Sequence, residues 1–547
     1  MNKINQHLVE VQDLSVDFHT RYGTVKAVRN VSWHIDRGET LAILGESGSG
    51  KSVSASAIMG LIDMPPGQIT SGRIIYDGAD LLKATPERQR SINGRKIAMI
   101  FQDTLAALNP VYPIGWQVAE TFRAHGLDVI ESQRKALALL ERVELPDAAR
   151  RFGDFPHQFS GGQRQRIMIA MAIGMQPDLL IADEPTSALD VTVQAHILKL
   201  LKELQKETGM GLLLITHDLG IVGDMADRLA IMNNGQVVET GTVQQVFQKP
   251  AHAYTRQLLR AMPGRAGFSH SVNESDTESA LLDVRNLSKH YEASQRLFRR
   301  ALKPLTPALS DASFYLRRGE TLGIVGESGS GKSTLARTLL GLETPTSGSV
   351  HYRGKDLFGL SSKEFSKTRR GIQIVFQDPT ASLNPRMTVE EIISEPWAIH
   401  ADVLPREEWS AQVKVLLEQV GLEPEYAARY PHQFSGGQRQ RIAIARALAL
   451  RPEIIICDEA VSALDVSVQA QVIALLKKLK LEFGLSYLFI AHDLPVVRDF
   501  ADRLLVMSQG KIVEQGLTKD LFTNPQHEYT KELLGAYPSI DIPVPAD

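Results

Sequence analysis

Gly45-Glu46-Ser47-Gly48-Ser49-Gly50-Lys51-Ser52 and Gly326-Glu327-Ser328-Gly329-Ser330-Gly331-Lys332-Ser333 are one octapeptide, GESGSGKS, met twice in a chain of 547 residues. Each copy follows a short apolar run, Thr40-Leu41-Ala42-Ile43-Leu44 or Thr321-Leu322-Gly323-Ile324-Val325. Each leads into a helical pattern, Val53 to Leu61 or Thr334 to Leu340. Strand, G-x-x-x-x-G-K-[ST] turn and helix are the context that a phosphate loop requires. Gly48, Gly50, Gly329 and Gly331 let the backbone turn so that successive N–H groups point at phosphate oxygens. The helix N-terminus adds partial positive charge and unpaired donors. Lys51 and Lys332 would then reach the β- and γ-phosphates, and Ser52 and Ser333 would ligate Mg²⁺. A glycine-rich turn with a stray Lys-Ser is the competing explanation. At average glycine content it arises in about 2% of chains this long, and two copies in matching context set it aside. The expected ligand is a nucleoside triphosphate.

A chain of this length is too long for one core and implies two to four domains. Hydrophobic content of 43% and charged content of 22% are those of a soluble globular protein. The formal net charge is −3, whereas a protein gripping nucleic acid along its length is usually basic, so no nucleic-acid partner is expected. The single cysteine, Cys457, excludes disulfides within the chain and any cysteine-based metal cluster. It sits beside Ile454-Ile455-Ile456 and reads as a buried, inert thiol. The opening MNKINQHLVEVQDL lacks the apolar core of a signal peptide. No run of about 18 apolar residues can span a bilayer. The expected place is the cytosol, with the membrane reached only through a partner.

Repetition decides the architecture. FQD at Phe101 recurs at Phe376, PHQFSGGQRQRI at Pro156 recurs at Pro431, DE at Asp183 recurs at Asp458, HDL at His217 recurs at His492, and YT at Tyr254 recurs at Tyr529, all at an offset of 275 residues. The two phosphate loops stand 281 apart, so the first half carries six more residues between loop and FQD. A period of that size is a tandem duplication of whole domains. One is expected over residues 7–263 and the other over 280–538. Residues 264–279, polar and poor in aromatics, read as a flexible linker, able to reach roughly 50 Å when extended. Residues 539–547 read as a disordered tail.

Each repeat begins with β-like alternation, passes through the phosphate loop, and continues to FQD. Helix-rich segments follow, about Trp116 to Leu145 and Val389 to Val420. Apolar strands then alternate with helices: Leu179 to Ala182 and Leu212 to Thr216, and in the second repeat Ile454 to Cys457 and Tyr487 to Ala491. That alternation predicts an α/β fold with a mostly parallel sheet covered on both faces.

LLIADEP (Leu179 to Pro185) and IIICDEA (Ile454 to Ala460) place two carboxylates at the end of a buried strand, where ligands bind in such sheets. Asp183 and Asp458 are placed to hold Mg²⁺ through water. Glu184 and Glu459 are placed to polarise the water attacking the γ-phosphate, worth about 10²- to 10⁴-fold in rate. An isolated Asp-Glu pair would be a solvated strand end. A phosphate loop in the same repeat removes that alternative. Ser187 to Asp190 and Ser462 to Asp465 repeat SALD just beyond. A lone histidine after a strand is more often a structural cap, yet His217 and His492 recur in register and are expected to contact the γ-phosphate. Gln102 and Gln377 are candidates to complete a metal or water site through a side-chain carbonyl.

The most specific stretch is FSGGQRQRI, Phe159 to Ile167 and Phe434 to Ile442. It resembles the signature of ATP-binding cassette (ABC) ATPases, LSGGQ, with Phe for Leu, and the resemblance covers both repeats. It implies two tandem P-loop NTPase (ABC ATPase) domains, each with a RecA-like core, an antiparallel β subdomain and an α-helical subdomain. In that family the signature of one cassette closes on ATP held by the other. Lys51, Ser52, Gln102, Asp183, Glu184 and His217 would accordingly work with Ser435, Gly436, Gly437 and Gln438. Lys332, Ser333, Gln377, Asp458, Glu459 and His492 would work with Ser160, Gly161, Gly162 and Gln163. Both sites carry every residue type needed. Ala460 stands where the first repeat has Pro185, and because proline restrains the residue before it, Glu459 is expected to be held less firmly than Glu184. The family also stacks an aromatic ring on adenine. Tyr22 and Tyr291 are the candidates, with Phe18 the rival in the first repeat and plain strand packing the alternative for each.

Three tasks are open to a pair of cassettes without membrane spans: driving a permease, acting on the ribosome, or DNA repair. Ribosome-acting pairs carry a long, basic, helical linker, and repair-type pairs carry zinc modules that one cysteine cannot supply. GESGSGKS, FQDPTASLNP (Phe376 to Pro385), HAYTRQLLRAMP (His252 to Pro263) and HEYTKELLGAYP (His527 to Pro538) are similar to the dipeptide, oligopeptide and nickel importer ATPases, including fused forms linked to oligopeptide, microcin or glutathione uptake. That resemblance implies ATP and Mg²⁺ as cofactors, and uptake of a peptide or related small substrate. It implies two transmembrane permease subunits and an extracytoplasmic substrate-binding protein as partners. The place implied is peripheral, on the cytoplasmic face of the inner membrane. Many relatives carry a cysteine cluster after the YT helix; its absence means no iron–sulfur site. The basic stretch Arg296 to Lys303 reads as a solvated loop, or as a contact to lipid headgroups or permease. A soluble double-cassette mechanoenzyme acting on ribosomes or another assembly is the alternative.

Overall fold

Apolar side chains at Ile43, Ile181, Leu213 and Ile215 pack in one core cluster, while Leu180, Ala182, Leu212 and Leu214 pack in another. Alternation of this kind along fully buried strands needs a sheet covered on both faces, and the computed structural model shows one in each half. It describes residues 7–21, 23–186, 189–264, 280–291, 307–462 and 464–537. Tyr22, Ser187, the linker beyond residue 264, Arg296 to Lys303 and the tail 539–547 lie outside them. The chain divides into two units, with Arg260 in the first and Ala261 to Ala536 in the second.

The first unit has a six-stranded sheet in the order Gln236–Thr242, Arg228–Asn233, Thr40–Leu44, Gly211–Thr216, Leu179–Asp183, Ile97–Ile100. All neighbours are parallel except the antiparallel hairpin of the first two. The second unit repeats it with Lys511–Leu517, Arg503–Ser508, Thr321–Val325, Ser486–Ile490, Ile454–Asp458 and Ile372–Val375. The phosphate-loop strand and the carboxylate strand flank one shared strand, with Leu44 opposite Thr216 and Asp183 opposite Ile215. Their carboxyl ends therefore finish side by side.

A four-stranded antiparallel sheet covers one face. In the first unit its order is Gly23–Ile35, Val9–Thr20, Gly67–Tyr76, Ala79–Asp80; in the second, Leu309–Leu316, Leu282–Lys289, Ser347–Tyr352, Lys355–Asp356. The ten residues of Gly67–Tyr76 against six in Ser347–Tyr352 absorb much of the extra length in the first repeat. Helices Ile114–Arg123, Val129–Arg142 and Gly161–Ile173 gather on the opposite core cluster.

One tyrosine ties the antiparallel sheet to the other in each unit. Tyr76 donates its hydroxyl to Asp178 at 2.7 Å, and Asp178 also meets Arg37 and Lys96. Tyr352 donates to Glu453 at 2.5 Å, and Glu453 pairs with Arg318 at 2.5 Å and Arg353 at 2.6 Å. The Arg353 guanidinium, helped by Tyr352 and Arg318, pulls the Glu453 carboxyl down to about 2. A carboxyl depressed on folding stabilises the fold above its unfolded pKa and loses that contribution as pH falls toward the folded value. Glu453→Gln is therefore expected to destabilise the chain by about 1–2 kcal/mol at pH 7, with the gap closing between pH about 4.5 and about 2. Urea unfolding of parent and variant at pH 7 and at lower pH measures this.

Candidate functional site

The phosphate loops are shaped by close approach and backbone handedness. A Cβ at Gly45 would lie 2.2 Å from the Met232 carbonyl oxygen, and one at Gly50 2.4 Å from that of Ala27, where φ is +98°. Gly326 and Gly331 meet Met507 at 2.1 Å and Ala308 at 2.5 Å in the same way. No side chain fits there without moving backbone. Helices Lys51–Met59 and Lys332–Leu339 start at the loop ends, so their unpaired N–H groups open into the loops.

Lys51 is buried, and its Nζ donates to the Gly45 and Glu46 carbonyls at 2.7 and 2.9 Å. Lys332 does the same with Gly326 and Glu327, also at 2.7 and 2.9 Å. Ser49 Oγ and Ser330 Oγ are buried without a hydrogen-bond partner. A buried cation and an orphaned hydroxyl in such a loop are what a bound phosphate chain would satisfy.

At the adjoining strand ends, Ser52 Oγ donates to Asp183 Oδ1 at 3.0 Å and Ser333 Oγ to Asp458 Oδ1 at 3.3 Å. Burial pushes both aspartates above their ordinary range, against the opposing pull of the serine hydroxyls. A hydroxyl beside a buried carboxylate is an oxygen-only donor set, the kind Mg²⁺ takes, and a cation there would relieve the desolvated charge.

Glu184 and Glu459 follow with positive φ, +46° and +49°, a conformation costing roughly 1–3 kcal/mol for a non-glycine residue. Their N–H groups bond the Ile215 and Ile490 carbonyls at 2.9 Å, which holds the turn in place. With Ala460 in place of Pro185, Glu459 takes nearly the same φ as Glu184. Gln102 Nε2 donates to Glu184 Oε2 and Gln377 Nε2 to Glu459 Oε2, each at 2.7 Å. The glutamines thus offer their amide nitrogen to the glutamate. His217 Nδ1 lies 3.3 Å from Glu184, and His492 Nδ1 3.6 Å from Glu459. For Glu184, burial pushes the carboxyl up, but His217, Lys51 and Gln102 together bring it below its usual value. For Glu459 the His492 contact leads, with the same net direction. In return each glutamate raises its histidine's pKa against the effect of burial.

Ser160 and Ser435 cap the helices Gly161–Ile173 and Gly436–Leu448, accepting the N–H of Gln163 and Gln438. The two glutamines bond back to the serine N–H groups at 3.2 and 3.0 Å, closing a capping box. A Cβ at Gly162 would lie 2.4 Å from Val193, and one at Gly437 2.2 Å from Val468. The second glycine of the signature is therefore demanded by helix packing.

Of the aromatic candidates, Tyr291 is 43% exposed, with Lys289 Nζ 5.1 Å from its ring centre. Phe18 packs against the core between the two sheets, the strand-packing alternative. One contact was not foreseen: the Glu46 and Glu327 N–H groups donate to Tyr254 and Tyr529. The repeated YT pair was its only trace in the sequence.

The chain matches the ABC transporter family over residues 28–187 and 309–462. It matches the oligopeptide/dipeptide transporter C-terminal region over 238–278 and 513–545. It is 46% identical to the glutathione import ATP-binding protein GsiA of Escherichia coli O157:H7, over 97% of this chain and 90% of that one. Proteins of the same description from Salmonella typhimurium (46%) and Pectobacterium atrosepticum (45%) align over 98% of this chain and 90% of theirs.

Glu184 is the first cause holding the His217 imidazole above its ordinary pKa, and burial opposes it. Removing the carboxylate charge by Glu184→Gln should therefore lower the titration midpoint of His217, with His492 unmoved. Histidine ring resonances followed by NMR across pH 5 to 9, assigned with His217→Gln, give the readout.

Proposed function

The chain belongs to the ABC transporter family, as the ATP-binding and ATP-hydrolysing subunit of an importer, and on that footing we propose that it powers uptake of glutathione or a small peptide of that kind through separate permease subunits. The observation that carries this is the 46% identity to a glutathione import ATP-binding protein across 97% of the chain. The ribosome-acting alternative is not favoured, because a transporter C-terminal region is matched in both halves. Among the described residues no helix is long and apolar enough to cross a membrane, and association with the membrane is peripheral, through the permeases. We take the permeases to be two, served by an extracytoplasmic substrate-binding protein.

In the mechanism we propose, backbone amides of each phosphate loop and Lys51 or Lys332 hold the β- and γ-phosphates. Mg²⁺, held by Ser52 and Asp183 or by Ser333 and Asp458, with Gln102 and Gln377 nearby, would neutralise phosphate charge. Glu184 and Glu459, kept ionised by their histidines, orient and polarise the attacking water. The water oxygen bonds to the γ-phosphorus, its proton passes toward the carboxylate, and the bond to the bridging oxygen of ADP breaks. His217 and His492, whose pKa values their glutamates raise, stand beside that centre. Family membership further supports the signature of each cassette, Ser160 to Gln163 or Ser435 to Gln438, completing the other's site. ATP would then favour closure and hydrolysis reopening.

Glu184→Gln combined with Glu459→Gln should leave ATP binding intact and lower turnover by about two or more orders of magnitude. Turnover near the parental rate would reject the glutamates as the water-polarising groups. For the cargo, cells lacking this chain should lose uptake of labelled glutathione. Undiminished glutathione uptake with loss of another peptide would reassign the cargo.

A further inference from the structure

We propose that Tyr254 and Tyr529 are positioning residues for nucleotide binding, each fixing the first peptide of its own unit's phosphate loop. The inference rests on the reading of these loops as ATP sites and extends it to the helices Ala253–Arg260 and Glu528–Gly535.

The peptide joining Gly45 to Glu46 is held at both ends. Its N–H donates to Tyr254 Oη at 3.4 Å, and its carbonyl accepts from Lys51 Nζ at 2.7 Å. The peptide joining Gly326 to Glu327 is held likewise, by Tyr529 Oη at 3.0 Å and Lys332 Nζ at 2.7 Å. The two helices, AYTRQLLR and EYTKELLG, share Tyr-Thr and a Leu-Leu pair one turn on. The same contact is thus made by the same tyrosine in both units.

That support is also the same twice. The Glu239 carboxylate accepts the N–H groups of Ala251 at 2.8 Å and His252 at 3.0 Å; Glu514 accepts those of Gln526 at 2.8 Å and His527 at 3.1 Å. The next turn is closed by the histidine ring: Nδ1 of His252 or His527 accepts the N–H of Tyr254 or Tyr529, each at 3.2 Å. Buried Leu258, Leu259 and Leu533 seat the helices. Each ring is thus placed by a carboxylate on the edge strand, Gln236–Thr242 or Lys511–Leu517, far in sequence from the loop it touches.

A phosphate loop binds well when its amides already point inward, since ordering them on binding weakens affinity. Turning the entry N–H onto a fixed hydroxyl sets the plane of that peptide and hence the start of the turn that aims the later amides. The tyrosine hydroxyl meets loop backbone, so its loss should act on nucleotide affinity and leave the chemical step alone.

The test uses the full chain carrying Tyr254→Phe and Tyr529→Phe, which keeps both rings and removes the hydroxyls. With a fluorescent ATP analogue and with ADP, dissociation constants should rise about threefold to tenfold, the effect of one neutral hydrogen bond. KM for ATP should rise in step while kcat stays within about twofold. Thermal unfolding is followed on the same samples. If it shifts, the single variants decide, each expected to weaken one of two nucleotide sites and spare the other. A parent that binds nucleotide beside Phe variants within about twofold of it overturns the positioning role. A parent that binds none overturns the reading of the loops themselves.

Discussion

The hydrogen bond from Ser52 to Asp183, and its twin from Ser333 to Asp458, exists only because two strands remote in sequence end together at one edge of a parallel sheet. Parallel pairing through the shared strand Gly211–Thr216 or Ser486–Ile490 sets that alignment. Shifting the register of either strand would separate the loop that holds phosphate from the carboxylates that serve it. The burial that favours this sheet also desolvates the aspartates and raises their pKa values. Stability of the sheet and readiness for a cation thus have one physical origin.

Next to that edge, Glu184 and Glu459 adopt a backbone conformation that L-residues avoid. A strained residue persists when its surroundings over-determine it, and here a backbone bond, a glutamine amide and a histidine all converge on the turn. The ionised state of each glutamate is thereby part of the fold. The duplication preserves this while changing its supports elsewhere: the tyrosine strut uses Asp178 in one half and Glu453 in the other. The half-buried pair Arg228–Glu39 is kept as the buried pair Arg503–Glu320, each at 3.0 Å. Cys457 occupies the place of Ala182, and burial pushes its thiol up to about 12, so the lone cysteine is an inert packing residue as the flanking isoleucines implied.

What was legible in the sequence was local. Thr40–Leu44 and Thr321–Val325 are continuous apolar runs before a turn that needs glycine, and their limits are those expected. The serine caps of Gly161–Ile173 and Gly436–Leu448 follow from Ser three residues before Gln, and the helices start there. Hidden features depend on distant partners. The hairpin Arg228–Asn233 with Gln236–Thr242 is closed by pairing onto Thr40–Leu44, which no local pattern shows. The backbone bond from Glu459 to Ile490 and the side-chain bond from Gln377 to Glu459 likewise come from segments distant in sequence. The tyrosine contacts to Glu46 and Glu327 span 208 and 202 residues, and only the in-register repetition of YT hinted at them.

Because the two sets of side chains meet at matching distances, the chain should carry two complete nucleotide sites rather than one working site and one relic. Calorimetric titration of ATP with Mg²⁺ into the full chain, with both glutamates changed to glutamine to stop turnover, counts them directly. Two equivalents bound per chain, with affinities within about tenfold of each other, is the result expected. A plateau at a single equivalent would contradict it.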